Sequence, residues 1–531
     1  MPLLGFSASD AIELFITIVL AAIACRRWIE PPAQGLARHA GWSMLVLAAL
    51  PIALRLALVP QYPIPTPNVS DDFSYLLIAG TLRHFRLANP VHPLHQFFET
   101  YFVLQQPAYA SIFPLGQGFV LLLGWAGVAL SIGALSALCY WMLRAWTTPG
   151  WALVGGLLAA MEFGPLNQWM NSFWGGALTA CAGCVAFGAL PRLLARRSAP
   201  MGALLGLGIG VSWLCRPYET IFLILSVLVF LLPDWRSMTK PAAVTALVVI
   251  PAIGLSALQN KQITGSWITL PYQLSQYQYG VPTSFTFQAL PTPHRGLTRE
   301  QQLDYEQQSQ VHNTAGNYWQ RWAGRLRFYR FFFLAPLYLA IPLFLLRLRQ
   351  RRFRWLLFTV LLFSFGTNFY PYFYSHYIAA LTCLFVLAAI IGLERLSQWD
   401  ELAAHIVLVL CFAHFLFWYG IHASRNAALE AALAPYETGD NINQGDPRGR
   451  IAITHRLDAA PGRQLVFVRY GPQHQFEEWV HNAADIDHAR IVWARDLGAD
   501  ENQKLLGYYP GRTAWLLEPD ARPPMLQAYP R

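Results

Sequence analysis

Runs of roughly 17–25 apolar residues recur along most of this chain, each ending at charges, proline or polar aromatics. A run of that length crosses the hydrocarbon core of a bilayer as a helix, with every backbone polar group satisfied inside the segment. The sequence therefore reads as a polytopic membrane protein, mainly α, a transmembrane helical bundle of about twelve spans. The approximate span cores are Ala11–Cys25, Gly41–Val59, Gly116–Leu143, Trp151–Gly164, Gly175–Leu190, Met201–Leu214, Thr220–Leu232, Ala242–Leu258, Phe331–Leu346, Trp355–Phe365, Ile378–Leu393 and Ala403–Ile421. Composition agrees: 13% of the 531 residues are charged, about half the usual share in soluble domains.

The net charge of +9 reports orientation. Arginine and lysine gather in short turns at alternate span ends: Arg26 to Arg38, Arg144, Arg192 to Arg197, Arg236 with Lys240, Arg347 to Arg354, and Arg395. Placing these inside satisfies the positive-inside rule throughout, so no nucleic-acid partner is expected. The outer face then collects loop 60–114, the turn Asn167–Trp174, Arg216-Pro217-Tyr218-Glu219, loop 259–325, Tyr370–His376 and everything after Ile421. Both termini are expected outside, with the first span retained rather than cleaved as a signal peptide. The seven cysteines lie in or beside spans, which argues against a disulfide framework. Cys181 and Cys184 are spaced like one half of a metal site, but small residues within a span are the simpler reading.

The chain divides into a membrane domain over 1–421, a linker over 422–446 and a small extracytoplasmic α/β domain over 447–531. In the tail, Leu465–Tyr470, Ile491–Arg495 and Thr513–Leu517 read as strands, alternating with helices at Phe476–Ala484 and Glu501–Tyr508. That alternation predicts a parallel sheet, small enough to lean on the membrane part. Its polar residues, Arg469, His474, Glu477, Glu478, Asp485, Asp487 and Arg495, read first as surface polarity, with acceptor or partner recognition as the alternative. No nucleotide-binding glycine pattern occurs.

Chemistry concentrates in the first outer loop, in Asn68-Val69-Ser70-Asp71-Asp72-Phe73-Ser74-Tyr75. Carboxylates near lipid must face water, a partner or a substrate. Ser70 or Asp71 also suits the N-cap of the helix that follows, so one acid can cap while its neighbour acts as a base. Arg83 and His84, about three turns along that helix, and Arg216 at the outer end of its span are candidate phosphate ligands. Tyr218 and Glu219 join Arg216 as substrate-binding candidates, and His376, among tyrosines, as a candidate lining the acceptor entrance. Arg55, late in its span, is expected to snorkel outward or to meet an outer carboxylate. His92, His95 and Glu99 have the spacing of metal ligands on one helix face, although Pro90 and Pro93 oppose that helix.

A span followed by an acidic pair and an aromatic helix (Ser70 to Gly80), with a glycine-rich span ending in Arg216-Pro217, resembles the GT-C glycosyltransferases. The likeness lies near the bacterial relatives of protein O-mannosyltransferases and lipid A aminoarabinose transferases. The resemblance covers roughly Gly41 to Leu396. It departs in one extra span before the acidic loop, and in Asp-Asp where relatives often have Asp-Glu. It implies an inverting enzyme of the bacterial inner membrane, moving a sugar from a polyprenyl-phosphate donor to a hydroxyl of a lipid, glycan or protein acceptor. Asp71 or Asp72 would be the base, with Asp71, the leading acid, slightly preferred. Enzymes of this kind divide between users and non-users of a divalent metal, so a divalent metal is the one cofactor the resemblance leaves open. The rival reading is a transporter or flippase for lipid-linked saccharides, disfavoured because no internal repeat is visible.

Overall fold

The computed structural model describes residues 16–17, 20, 22–23, 33–424, 426–433, 446, 449–475 and 477–530. The first predicted span, Ala11–Cys25, and much of the predicted linker lie outside them. Among the described residues, seven helices are long and apolar enough to cross a membrane: Ala40–Ala57, Trp125–Leu143, Ala177–Arg196, Pro217–Ser237, Thr239–Thr264, Ser375–Trp399 and Glu401–Ala423. The protein is a multi-pass helical membrane protein. Ser375–Trp399 is almost wholly buried at the centre of the bundle, whereas Thr239–Thr264 packs one side on Ala199–Cys215 and leaves the other facing outward, with few residues fully buried. Close packing depends on small residues: a Cβ on Gly183 would lie 1.9 Å from the Ala380 carbonyl oxygen, so only glycine lets these two segments touch.

Two predicted spans look different in the structure. Gly116–Leu143 breaks at Gly124, whose φ of 59° favours glycine, and the long helix begins only at Trp125. Phe331–Leu346 is a chain of 3-10 turns, part of Leu326–Phe332 followed by Ala335–Leu339 and Ile341–Arg347. Pro336 and Pro342 sit at the starts of the last two turns, where their missing amides interrupt an α-helical ladder.

The outer loops are ordered around the helix Ser70–Arg83, a two-stranded antiparallel pair of β1 (Val103–Leu104) and β2 (Ala110–Ser111), and the helices Pro271–Tyr279, Arg299–Thr314 and Tyr318–Arg325. In the tail, β3 (Arg463–Val468) pairs in parallel with β4 (Ile491–Arg495) and with β5 (Arg512–Glu518), and β6 (Met525–Ala528) closes the edge antiparallel to β5. The strand order is β4-β3-β5-β6. The helix Ala499–Tyr508 forms as expected, and Arg450–Ala459 adds one ahead of β3.

The predicted helix Phe476–Ala484 is absent among its described residues. The Glu478 carboxylate accepts from the amides of Trp479 and Val480, giving the backbone a local partner in place of a helical ladder. The tail does not stand free. Leu77, Phe97, Phe98, Val103 and Tyr109 of the first loop share one apolar core with Leu465, Phe467, Val492, Leu505 and Leu516 of the tail. The two loops and the tail therefore lie on one side of the bundle. The six described cysteines are all free.

Candidate active site

The acidic helix shows what each carboxylate does. Asp72 is buried, and both its oxygens are occupied: Oδ2 accepts from the amides of Asn68 (3.0 Å) and Val69 (3.4 Å), and Oδ1 from the amide of Phe173 (2.9 Å). Those bonds cap the helix and tie it to the turn Asn167–Trp174, a hundred residues away in sequence. That turn is held tightly, because a Cβ on Gly176 (φ 130°) would lie 2.3 Å from the Trp169 ring. Burial still pushes the Asp72 carboxyl up to about 6, against the pull of the three amides.

Asp71 is half-buried, and its carboxylate has no hydrogen bond to another described residue. Burial first, then the neighbouring Asp72 charge, pushes it up to about 7; its own amide and Arg216 oppose that rise. A carboxyl balanced near neutrality beside a cation is poised to take a proton.

Arg216 stands where one helix (Ala199–Cys215) stops and the next (Pro217–Leu231) starts, out of helical geometry with φ −148° and ψ 78°. Its guanidinium lies 4.8 Å from the Tyr377 ring centre and 4.0 Å from Glu219 Oε1. Glu219 is buried, and Oε1 has no hydrogen-bond partner. Tyr218 turns the other way: its hydroxyl donates to the Gly366 carbonyl at 2.9 Å, and its ring packs on Phe222, Phe285 and Tyr370. His376 is buried in an aromatic stack, parallel to Tyr374 at 5.5 Å and beside Trp174. The structure thus gathers Asp71, Arg216 and Glu219 around one cleft, with Tyr374 of the His376 stack near enough to feel the Asp71 charge.

No protein-family model and no curated protein matches this sequence. Among solved structures, ArnT from Cupriavidus metallidurans bound to undecaprenyl phosphate superposes with a TM-score of 0.50 at 13% identity, over 90% of this chain and 93% of that one. The fold is of the GT-C type. The apo form of the same ArnT gives 0.49 at 13% identity, over 91% and 93% of the two chains. The archaeal oligosaccharyltransferase AglB from Archaeoglobus fulgidus, in complex with an inhibitory peptide and a dolichol-phosphate, gives 0.37 at 12%, over 89% and 69%.

Within this GT-C fold, the remaining predicted residues lie apart from the cleft. Arg83 and His84 end the acidic helix, about 16 Å along the axis from Asp72. Arg83 donates to the carbonyls of Leu121 and Leu122, and His84 bonds Gly80 of its own helix. Arg55 meets no carboxylate: it donates to Asn171 Oδ1 (2.7 Å) and to the carbonyls of Tyr62 and Pro63.

The proposed metal trio does not converge. His92 bonds the Tyr509 hydroxyl, His95 pairs with Gln106, and Glu99 binds Arg295 (2.7 Å), Tyr279 and Gln301. Pro90 and Pro93 leave His92 in an irregular segment, and His95 opens only a 3-10 turn, His95–Phe98, that stops before Glu99. Among the described residues no group of three or more histidine, cysteine, aspartate or glutamate side chains forms a metal cluster.

Two features escaped the sequence reading. Asp304 is buried on the helix Arg299–Thr314; Oδ1 accepts from Gln308 at 2.6 Å, and Oδ2 has no partner. Burial pushes it up to about 7, and Asp71 contributes to that rise, so the two carboxyls lie within electrostatic reach of each other. The tail also walls the acidic helix directly. Phe73, next to Asp72, is stacked on His481 at 4.3 Å and covered by Arg450 at 4.4 Å.

The charged residues of the tail are not merely surface polarity. Arg495 is buried; it pairs with Glu300 and Glu478 and donates to the Glu99 carbonyl at 2.7 Å. Glu300 lies one turn before Asp304, so the tail fixes the helix that carries the second carboxyl.

Proposed function

We propose that this protein is an inverting glycosyltransferase that moves a sugar from a polyprenyl-phosphate donor to an acceptor hydroxyl. The work would be done at the extracytoplasmic face of a bacterial inner membrane, with both termini and the tail on that side. The observation that carries the reading is the division between the two acids. Asp72 is consumed by backbone amides, whereas Asp71 is unbonded, poised near neutrality and within electrostatic reach of Arg216. The GT-C fold and a neighbour of that fold bound to undecaprenyl phosphate support the donor class.

In this reading Asp71 takes the proton of the acceptor hydroxyl as its oxygen attacks the anomeric carbon. The bond from that carbon to the phosphate oxygen breaks on the opposite side, and polyprenyl phosphate leaves with both electrons. Arg216 offsets the charge that builds on the phosphate. Acceptor chemistry stays at the level of a lipid, glycan or protein hydroxyl, and membrane lipid surrounds the spans.

The test uses purified protein in lipid with a panel of radiolabelled polyprenyl-phosphate sugars and an extract of candidate acceptors. Carrier-dependent transfer that Asp71→Asn abolishes and Asp72→Asn only weakens supports the assignment. Transfer untouched by Asp71→Asn removes it, and donor movement across sealed vesicles without transfer would identify a flippase.

A further inference from the structure

A groove lies beside the acid cleft, and Tyr374 is one of its walls. It is an open groove of about 690 Å³, walled by Arg321, Arg325, Arg327, Tyr372, Phe373 and Tyr374 among others. Three guanidinium groups line it, and no residue of the lining carries a carboxylate.

The charges of these arginines are solvated by neutral oxygens. Arg325 is buried, lies 5.1 Å over the Phe373 ring, and donates to the carbonyls of Thr367, Tyr370 and Tyr372. Arg321 donates to the carbonyls of Asn368 and Gly316 and to the Thr286 hydroxyl. Arg327 is exposed, stacks 5.0 Å over Phe328, and makes no hydrogen bond or ion pair among the described residues. Carbonyls orient a guanidinium without neutralising it, and like charges held together in this way are completed by an anion. The Tyr372 and Tyr374 hydroxyls, also without hydrogen bonds among the described residues, add two donors.

The surroundings say which anion. The helix Tyr318–Arg325 forms one side of the groove, and it exposes Trp319 (64%) and then Leu326 (52%) while Trp322 is pinned to the Ser364 hydroxyl at 2.8 Å. A short amphipathic helix with a bare tryptophan, charged on its other face, lies in the headgroup region of a membrane. The groove therefore opens at headgroup depth, beside apolar side chains that suit acyl chains.

We infer that this groove is a binding site for the phosphate headgroup of an anionic membrane lipid. It is separate from Arg216, which is not among its walls, and it borders the acids through Tyr374, within reach of the Asp71 charge, and Tyr372, within reach of that of Asp304.

Native mass spectrometry of the full chain in a neutral detergent tests this with phosphatidic acid as the probe. Wild type should hold one tightly bound phosphatidic acid, at least about tenfold tighter than phosphatidylcholine, as loss of charge-assisted contacts to Arg implies. Arg327→Glu should weaken that affinity by about tenfold or more, Arg327→Lys should keep most of it, and Arg330→Glu, on an exposed neighbour outside the groove, should change nothing. Thermal melting checks that the variants fold. If Arg327→Glu does not fold, the salt dependence of wild-type binding decides, because binding indifferent to salt overturns the site.

Equal binding by wild type and Arg327→Glu, or equal affinity for the zwitterionic lipid, also overturns it. Inorganic phosphate that displaces the lipid at similar concentration would make this a free-anion site and overturn the lipid assignment. The measurement needs neither donor nor acceptor, and Asp71→Asn should bind as wild type does. A failed transfer assay and a failed lipid site are thus separate results.

Discussion

The tail interface and the acid cleft both hold buried charge, and they treat it in opposite ways. At the interface Arg495 pairs with Glu300 and Glu478, and Glu99 takes contacts from Arg295, Tyr279 and Gln301. In the cleft, Asp71 is unbonded to other described residues, and Asp304 Oδ2 and Glu219 Oε1 have no hydrogen-bond partner. Buried polar groups are nearly always satisfied, so the unsatisfied set costs stability that the satisfied set does not. The difference separates charge that holds a shape from charge kept ready for a ligand.

The comparison breaks most directly at Asp71. Asp71→Asn should lower transfer by about 10²–10⁴-fold, the usual worth of a general base, with melting unchanged or raised because a costly buried carboxyl is gone. Initial rates with a polyprenyl-phosphate sugar check this, and a rate within tenfold of wild type would contradict it. Next is the interface. Arg495→Met leaves two carboxylates buried without their cation and should cost about 3–5 kcal/mol in denaturant unfolding. Adding Glu300→Gln and Glu478→Gln should recover part of that loss; a single-variant cost under about 1 kcal/mol would mean the network holds little.

The pH dependence sharpens the contrast further. Asp71 and Asp304 stay protonated in the folded chain up to about 7. Once unfolded they ionise near about 4, so the folded state binds more protons between those values. Their contribution to stability is fully present below about pH 4 and is lost as pH climbs through about 7. Asp304→Asn should flatten that decline in a series of melts. Because Asp71 must be ionised to act as a base, transfer should fall about tenfold per unit as pH drops below about 7. The smallest effect belongs to Asp72→Asn, which keeps one acceptor oxygen but turns an amide group toward backbone donors. It should cost about 1–2 kcal/mol of stability and retain far more transfer than Asp71→Asn.

Much of this layout is legible in the chain itself. Length and apolarity identify the crossing helices because a bilayer demands both, and Ile491–Arg495 forms the very strand its β-branched and aromatic residues indicate. The acidic pair also stands out. Its division of labour does not, because the donor that occupies Asp72 Oδ1 is the amide of Phe173, brought in by tertiary folding. Asp304 is invisible for a related reason: it sits in a polar helix, and tertiary contacts such as Glu300 with Arg495, Gln301 with Glu99 and Gln308 with the Thr283 amide fix that helix within electrostatic reach of Asp71. Span order is equally hidden. Thr239–Thr264 and Ser375–Trp399 have mean hydropathies of 2.0 and 2.2, yet one faces outward and the other fills the centre.

The shared core of the tail and the first loop has a consequence for biosynthesis. Leu77, Phe97 and Phe98 are translated long before the strands that cover them. Until those strands emerge, these side chains lack that cover and Glu300 has no Arg495. The first loop and the helix bearing Glu300 gain these partners only once the tail strands dock. A chain cut short ahead of those strands keeps every described span yet leaves an apolar loop bare and a buried carboxylate without its cation.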